Sequence, residues 1–389
     1  MSKAHLKITE LHETSKVHSN QENRGEIGAL KVNTGPTALG RGGDDFDIDV
    51  DWNLNGTSTG LSPGALRRAQ SSTHPSPFPL PELMRLTCRK HRVLMTDAIH
   101  SMASFSRRGK ENFQSKTNQD SFFAYRQFLE PYQALAAVMD GHGPHGHIVS
   151  SLVKEVLPTK ISEHLRRRGE TVAGAALTSA FLDVQAALHK AAMSGKVNAR
   201  LSGSTAVVSL IQGYRIVTAW TGDSRAIVVR KGNGLDESRL WTGMQLTEDH
   251  TPACAKEVSR IIAAGGCVER LKDGRGRTVG PERVWLPGQW VPGLAMTRAL
   301  GDFVAHTVGV TAEPEIRIHE LQKGEEQYLV IASDGVWEFM SNDEVAGVVG
   351  PCASAEEACR MLVDAASDRW AEYSEGGMDD ITVVVTKYH

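Results

Sequence analysis

The sequence is poor in the features that mark secreted, membrane-spanning and nucleic-acid-binding proteins. Its five cysteines are scattered, odd in number and without a close pair, which argues against a disulfide framework and a structural zinc site. No apolar run approaches the ~20 residues that a membrane-spanning helix needs. The formal net charge of -3 argues against nucleic-acid binding as the main role of the chain.

Targeting signals are also missing from the first residues. Met1-Ser2-Lys3 begins no signal-peptide core, and Ser2 occupies the position where N-myristoylation requires glycine. We therefore expect an intracellular protein, cytoplasmic and/or nuclear, in a reducing environment. We also expect a monomer with no membrane partner and no nucleic-acid partner.

Residues 1–96 differ in composition from the rest of the chain. They hold few apolar clusters and are rich in Ser, Gly, Asn, Thr and acids, a composition that buries too little surface to fold alone. We predict a disordered N-terminal extension over 1–96 and one large domain over 97–389. The extension carries an acidic run from Asp44 to Asp51 and alternating prolines from Pro75 to Pro81. These stretches suit either a docking tail or a solvated linker, and the linker is the favoured interpretation.

One stretch organises the rest of the chain. The apolar run 134–139 is short enough for a buried strand and ends abruptly in Asp140-Gly141-His142-Gly143. Apolar residues then recur at helical spacing from Ile148 onward. The pattern predicts a strand, a functional turn and a helix, with Asp140 at the end of the strand.

Acids recur at other strand ends. The apolar run 328–332 leads into Asp334, and Asp379-Asp380 precede the β-branched run 381–385. Runs 216–220 and 226–229 predict a hairpin with Asp223 at its tip. A single Asp-Gly turn is common in proteins, whereas its repetition at strand ends points to a shared site.

The motifs, taken in chain order, resemble the metal-dependent serine/threonine protein phosphatases of type 2C, over roughly Ser101 to Lys387. The stretches that carry this resemblance are Asn118-Gln119-Asp120, Asp140-Gly141-His142-Gly143, Gly203-Ser204-Thr205-Ala206, Gly222-Asp223-Ser224-Arg225, Arg298-Ala299-Leu300-Gly301-Asp302, Ser333-Asp334-Gly335-Val336-Trp337 and Asp379-Asp380.

The resemblance implies both a fold and an activity. The fold is α+β, with two mainly antiparallel β-sheets packed as a sandwich and α-helices on both outer faces. The activity is hydrolysis of phosphoserine and phosphothreonine monoesters in phosphoproteins by water activated at a binuclear Mg²⁺ or Mn²⁺ centre. An alternative is a catalytically inactive, phosphoprotein-binding regulator, but retention of Asp140, Asp334 and Asp379 argues against it.

The resemblance also implies roles for individual residues. Asp140 bridges both ions and the Gly141 carbonyl ligates one, while Asp334 and Asp379 hold the other. Asp223 and Glu338 are the pair expected at a weaker third ion, where Glu338 replaces the usual aspartate. His142 is the candidate general acid.

Three residues before the first strand-end acid are expected to assist. Lys116 is a candidate to bind the substrate phosphate, although it lies one place from the family's usual arginine and could equally be a solvated lysine. Gln119 and Asp120 are expected not to bind the ions directly but to support the residues and waters that do. The nearby His145 and His147 are expected to be structural or solvent-facing, because acids outnumber imidazoles here.

The remaining stretches carry structural expectations. Helices are predicted over 148–165, bent or broken at Pro158, over 172–192 and over 255–264. Segment 267–293 is expected to be a loop-like flap, and Thr205 an ordinary strand residue. Asp302 is expected to be structural and to pair with Arg298. Capping boxes are predicted at Ser341 with Glu344 and at Ser354 with Glu357.

Overall fold

The computed structural model describes residues 97–169, 172–232 and 240–389. The predicted disordered extension, with its acidic run and its prolines, lies outside the described residues. No helix within the described ranges is long and apolar enough to cross a membrane.

The first of the two large sheets has the strand order β1-β18-β17-β10-β11, and neighbouring strands are antiparallel. Its strands are β1 (Ile99–Arg107), β10 (Arg225–Lys231), β11 (Trp241–Gln245), β17 (Glu326–Ala332) and β18 (Ile381–Tyr388). The second sheet, also antiparallel, has the order β16-β9-β8-β5-β4. Its strands are β4 (Ser121–Tyr125), β5 (Gln133–Met139), β8 (Ala206–Gln212), β9 (Arg215–Thr221) and β16 (Glu315–Glu320).

Four layers follow from the two-residue period of the central strands. In β5, Ala136 and Val138 face the other sheet, while Leu135 and Ala137 face a helical layer, so every position of the strand is buried. That layer is α1 (Gly146–Arg168) and α2 (Ala173–Met193). On the opposite side, α6 (Asn342–Val349) and α7 (Ala355–Tyr373) cover the first sheet. The predicted α+β sandwich with helices on both faces is therefore confirmed.

The predicted hairpin around Asp223 is wrong. Strand β9 pairs with β8 and β16, whereas β10 pairs with β17 and β11, so the chain crosses from one sheet to the other at Thr221–Arg225. The short spacing suggests a hairpin, but β9 already forms a tight hairpin with β8, and the distant strands β16 and β17 pair with β9 and β10 in their separate sheets. The crossing still carries Asp223 at the end of the sandwich.

The flap is also more ordered than the sequence suggests. Segment 267–293 is not a loop but a hairpin of β12 (Cys267–Lys272) and β13 (Thr278–Trp285), with β14 (Pro292–Leu294) beside it. Opposite charges face each other across it, Glu269 with Arg283 and Arg270 with Glu282. Such cross-strand pairs stabilise exposed strands without the apolar alternation by which sequence reveals a strand.

Short elements complete the end of the sandwich that carries the acids. They are β2 (Lys110–Glu111), β3 (Gln114–Ser115), β6 (Gly141–His142), β7 (Gly203–Ser204), β15 (Leu300–Gly301), α3 (Ala255–Ala263), α4 (Phe303–His306) and α5 (Asp334–Trp337). Strand β7 lies between β6 and β15, which brings the turn after Asp140 next to the turn before Asp302.

The helices follow their sequence signals with two differences. Helix α1 runs unbroken through Pro158, so the expected break is absent. Ser341 and Glu344 form the predicted capping box. At Ser354 only half of the box forms, because the Glu357 carboxylate accepts a hydrogen bond from Ala353 N instead.

Candidate active site

The strand-end acids meet at one end of the sandwich. Asp140 follows β5, Asp334 follows β17 and begins α5, and Asp379 precedes β18. Asp223 joins them on the crossing between β9 and β10. These carboxylates interact electrostatically with one another, so the structure brings together the acids that the sequence placed at separate strand ends.

Thr205 holds the backbone of Asp140 from both sides. Asp140 N donates to Thr205 Oγ1 at 2.9 Å, and Thr205 N donates to the Asp140 carbonyl at 2.8 Å. The Thr205 hydroxyl also contacts Ser224 Oγ at 2.7 Å, beside Asp223. Thr205 is thus a fully buried link between two acid-bearing turns. Thr205 lies between β7 and β8, so the expectation that it is an ordinary strand residue is wrong, and its β-branched side chain carries no sequence signal of this role.

Gly141 sits where no side chain fits. A Cβ atom there would lie 2.5 Å from the carbonyl oxygens of both Gln119 and Gly146. Gly141 N donates to the Gln119 carbonyl at 3.2 Å, and Gln119 Nε2 donates to the Gly143 carbonyl at 2.9 Å. Gln119 therefore braces the turn through its backbone and its side chain.

The two neighbouring acids Asp379 and Asp380 have different contacts. Asp380 is buried and accepts hydrogen bonds from Gly109 N at 2.6 Å and from Gln119 N at 2.9 Å. Lys116 Nζ lies 2.5 Å from Asp379 and 3.1 Å from Asp380. Burial would lower the pKa of Lys116, but the two carboxylates outweigh it and raise that pKa. Lys116 thus stays charged and holds these acids, and its binding of phosphate stays a prediction.

The acid cluster is short of positive charge. Burial and the neighbouring carboxylates, Asp334 foremost, raise the pKa of Asp140 well above its usual range, and burial and Asp379 do the same for Asp334. Burial also raises the pKa of Asp120 to about 7, although Ser333 Oγ donates to its carboxylate at 2.8 Å. Asp334 Oδ1 is buried and has no hydrogen-bond partner among the described residues. Oxygen ligands with unmet charge suit hard divalent cations.

His142 pairs with Asp302, and the predicted pairing of Asp302 with Arg298 is wrong. His142 Nε2 lies 2.5 Å from the buried Asp302 carboxylate, while Arg298 binds Glu257 at 2.7 Å and Glu315 at 2.9 Å. Residues 298 and 302 are separated by β15 rather than by a helical turn, so they do not share a face. Burial alone would lower the pKa of His142, but the Asp302 carboxylate raises it above its usual value.

Asp302 is held in a strained conformation that aims it at His142. Its φ of +44° lies in the left-handed region, which residues other than glycine rarely adopt. Gly203 lies so close to the Asp302 carboxylate that it leaves no space for a Cβ atom. His142 and Asp302 are 160 positions apart in the sequence, and no local pattern pointed to the contact.

A cleft of about 630 Å³ opens over this site. Asp223, Asp334 and His142 line its inner part, and the exposed Glu338 lies at its rim. The flap forms the outer part, with Arg270, Glu282 and Arg283 on the strands and Pro292 and Leu294 behind them. The site can therefore admit a ligand from solvent.

Comparisons with known proteins agree with this arrangement. The family model for protein phosphatase 2C matches residues 104–373. Probable protein phosphatase 2C 52 of Arabidopsis thaliana is 32% identical over 335 residues, which are 78% of this chain and 68% of the relative. Probable protein phosphatase 2C 72 of the same plant is 35% identical over 280 residues, 69% of this chain and 80% of the relative.

Solved structures share the fold. The serine-threonine phosphatase 2C from Toxoplasma gondii superposes with a TM-score of 0.61 at 18% identity, covering 75% of this chain and 97% of its own. A C. elegans sex determining protein superposes with a TM-score of 0.59 at 22% identity, and the match covers 75% of this chain and 65% of that protein's chain. The family match and the relatives show that the chain belongs to the metal-dependent protein phosphatase 2C family and is a protein serine/threonine phosphatase.

Proposed function

We propose that this phosphatase hydrolyses phosphoserine and phosphothreonine monoesters of phosphoproteins at a binuclear centre of Mg²⁺ or Mn²⁺. The Asp140, Asp334 and Asp379 carboxylates and the Gly141 carbonyl would hold the two ions. The observation that carries the proposal is the meeting of Asp140, Asp334, Asp379 and Asp223 at one end of the sandwich, where burial and their mutual repulsion raise the pKa of Asp140 and Asp334. Bound divalent ions would screen the phosphate charge and lower the pKa of water to give a nucleophile near neutral pH.

The chain's own residues orient the site. Thr205 fixes the backbone that carries Asp140, and Gln119 fixes the turn that carries Gly141. Lys116 forms an ion pair with Asp379, and its ammonium also gives the site a cation toward which a substrate phosphate is drawn. These contacts keep the acids in place before any ligand arrives, which lowers the reorganisation that binding requires.

His142 is the proposed general acid. Asp302 occupies Nε2 and favours the protonated ring, so Nδ1, which is buried and has no hydrogen-bond partner among the described residues, would donate the proton to the departing serine or threonine alkoxide. Such an alkoxide is a very poor leaving group, so the proton matters most for the protein substrate. Asp302 acts through His142 and is a positioning residue.

Two further assignments complete the proposal. Asp223 and Glu338, both at the cleft, would hold a weaker third ion, and the exposed position of Glu338 suits a site open to exchange. A monomeric state and a cytoplasmic and/or nuclear location remain part of the proposal, with phosphoproteins as the substrates.

The test is release of phosphate from peptides by the full chain stripped of divalent ions with a chelator. We expect turnover of phosphothreonine and phosphoserine peptides only after Mn²⁺ or Mg²⁺ is restored. A phosphotyrosine peptide and the Asp140→Asn variant serve as controls. Equal turnover before and after the ions are restored would refute the metal centre, and failure to turn over any phosphopeptide would refute the activity.

A further inference from the structure

The turn that carries Asp223 depends on an unusual backbone. Gly222 has a φ of +95°, and a Cβ atom there would lie 2.5 Å from Thr205 Cγ2. The turn is therefore pressed against the same Thr205 that fixes Asp140. A glycine gains much conformational freedom on unfolding, so its neighbours must supply contacts that hold this conformation.

His250 supplies those contacts on both backbone groups of Gly222. Gly222 N donates to His250 Nδ1 at 3.2 Å, and His250 N donates to the Gly222 carbonyl at 2.9 Å. The His250 ring is 2% exposed and stacks on Trp220 with a centroid distance of 5.9 Å and an interplanar angle of 11°. A side chain and a backbone of the same residue thus clamp the position that precedes Asp223.

His250 is itself held in one state. Thr297 N donates to the His250 carbonyl at 2.8 Å, and Thr297 Oγ1 donates to Glu257 at 3.0 Å. Burial and the Arg298 guanidinium lower the pKa of His250 to about 4, so its ring is neutral near neutral pH. Because Nδ1 accepts from Gly222, the proton of the neutral ring lies on Nε2.

We infer that His250 is a positioning residue for Asp223, because it fixes Gly222 and thereby the direction of the next carboxylate. The inference rests on the proposed function, which assigns Asp223 to a third divalent ion. Groups that orient metal ligands commonly change metal affinity by about 10- to 100-fold when they are removed. His250 acts without touching the ion.

The other chemical reading of His250 is as a ligand itself. His250, Glu257 and Glu315 bring possible ligand atoms within 4.8 Å of one another. Their carboxylates, however, already bind Arg298, Arg260 and Lys256, at distances from 2.7 to 3.0 Å. Three cations on two carboxylates leave no unmet negative charge for a metal, so this cluster anchors His250 rather than binding an ion.

Calorimetric titration of the metal-stripped full chain with Mn²⁺ tests the inference. His250→Phe keeps the stacked ring and removes both ring nitrogens, including the acceptor for Gly222 N. We expect it to weaken the weakest Mn²⁺ site by about 10- to 100-fold and to leave the two tight sites intact. His250→Asn, whose Oδ1 replaces Nδ1, should recover most of the affinity. His319→Leu, on β16 beside Ile216 at the opposite end of β9, is the matched control and should leave all sites unchanged.

Asp223→Asn separates this inference from the proposed function. Loss of the weak site in Asp223→Asn but not in His250→Phe would overturn the positioning role alone. Retention of the weak site in Asp223→Asn would overturn the assignment of Asp223 and the inference with it. Equal losses in His250→Asn and His250→Phe would also contradict positioning through the acceptor. If His250→Phe does not fold, His250→Leu against His250→Asn gives the same comparison.

Discussion

The molecule contains two clusters of acids, and they differ in how far neighbouring cations neutralise their charge. One cluster is formed by Asp140, Asp334 and Asp379. Among the described residues, Lys116 is the one cation that forms an ion pair with a member of this cluster, Asp379, and the pKa values of Asp140 and Asp334 are raised. In the cluster formed by Glu257 and Glu315, Arg298, Arg260 and Lys256 bind both carboxylates. Burial would raise the pKa of Glu257, but the guanidiniums outweigh it and hold that pKa far below its usual range.

The difference shows that proximity of acids does not by itself identify a metal site. The Glu257 cluster satisfies the distance criterion for a cation, yet its charge is already neutralised by the protein. The Asp140 cluster leaves charge unmet in a desolvated place, which costs stability unless a ligand neutralises it. The Glu257 cluster therefore stabilises the fold, whereas the Asp140 cluster is kept for function.

Neutralising one acid in the functional cluster should have the largest effect. We expect Asp140→Asn and Asp334→Asn each to lower turnover of a phosphothreonine peptide by about 10³-fold or more, because each removes a charged ligand. Both variants should also melt at a higher temperature than the wild type in chelator, because repulsion among the acids is relieved. Scanning calorimetry with and without Mn²⁺ measures the second effect, and a lower melting temperature in chelator would break the comparison.

The matching change in the structural cluster should act in the opposite direction. Glu257→Gln leaves the buried Arg298 guanidinium short of a partner, and breaking a buried ion pair costs about 3 to 5 kcal/mol. Urea denaturation should show this loss both in chelator and in Mn²⁺. Glu313→Gln, whose side chain lies on the exposed surface, is the control. Unchanged stability of Glu257→Gln would mean that the cluster is not structural.

His142 and Asp302 form a third case, an acid in the cleft whose partner is a histidine. His142→Ala should slow phosphoserine-peptide hydrolysis by about 10²-fold or more while changing p-nitrophenyl phosphate hydrolysis little, because nitrophenolate leaves without a proton. Steady-state kinetics at saturating Mn²⁺ compare the two substrates. Equal losses on both would assign His142 to the shape of the metal site instead of to proton transfer.

Lowering the pH should weaken the stabilisation that the Glu257 cluster provides, with a smaller effect than the substitutions above. The pKa of Glu257 is depressed in the folded state, so its stabilising contribution is present above its unfolded value of about 4.5 and is lost as pH falls below it. The wild type should therefore lose stability more steeply than Glu257→Gln below about pH 4.5 in urea denaturation. Parallel curves for the two proteins would show that Glu257 does not contribute in this way.

The sequence revealed what depends on local pattern. A short apolar run that ends in an acid marks a buried strand and a turn, and this identified Asp140 and Asp334 without any knowledge of the sheets. Local spacing predicts a hairpin at Asp223, but β9 forms its hairpin with β8 instead, and β10 joins the other sheet by pairing with the distant β17. The sequence does not reveal the flap strands because charged residues, which oppose one another across the hairpin, interrupt the apolar alternation that marks a strand.

Side-chain contacts between residues far apart in the sequence are the other feature that the sequence does not predict. Asp302 meets His142 across 160 positions, and Arg298 meets Glu257 across 41 positions. Thr205 and His250 clamp backbone groups of the acid-bearing turns, and neither residue type is unusual at a strand end or after a loop. Such contacts follow from the packed fold, so they become visible only when the sheets are assembled.

The most direct test of the account is a calorimetric Mn²⁺ titration of the wild type beside Asp140→Asn and Glu257→Gln. We predict two tight sites and one weak site in the wild type, loss of tight binding in Asp140→Asn, and unchanged tight binding in folded Glu257→Gln. Tight binding that survives Asp140→Asn and disappears in Glu257→Gln would contradict the account, because the ions would then occupy the cluster whose charge the protein already neutralises.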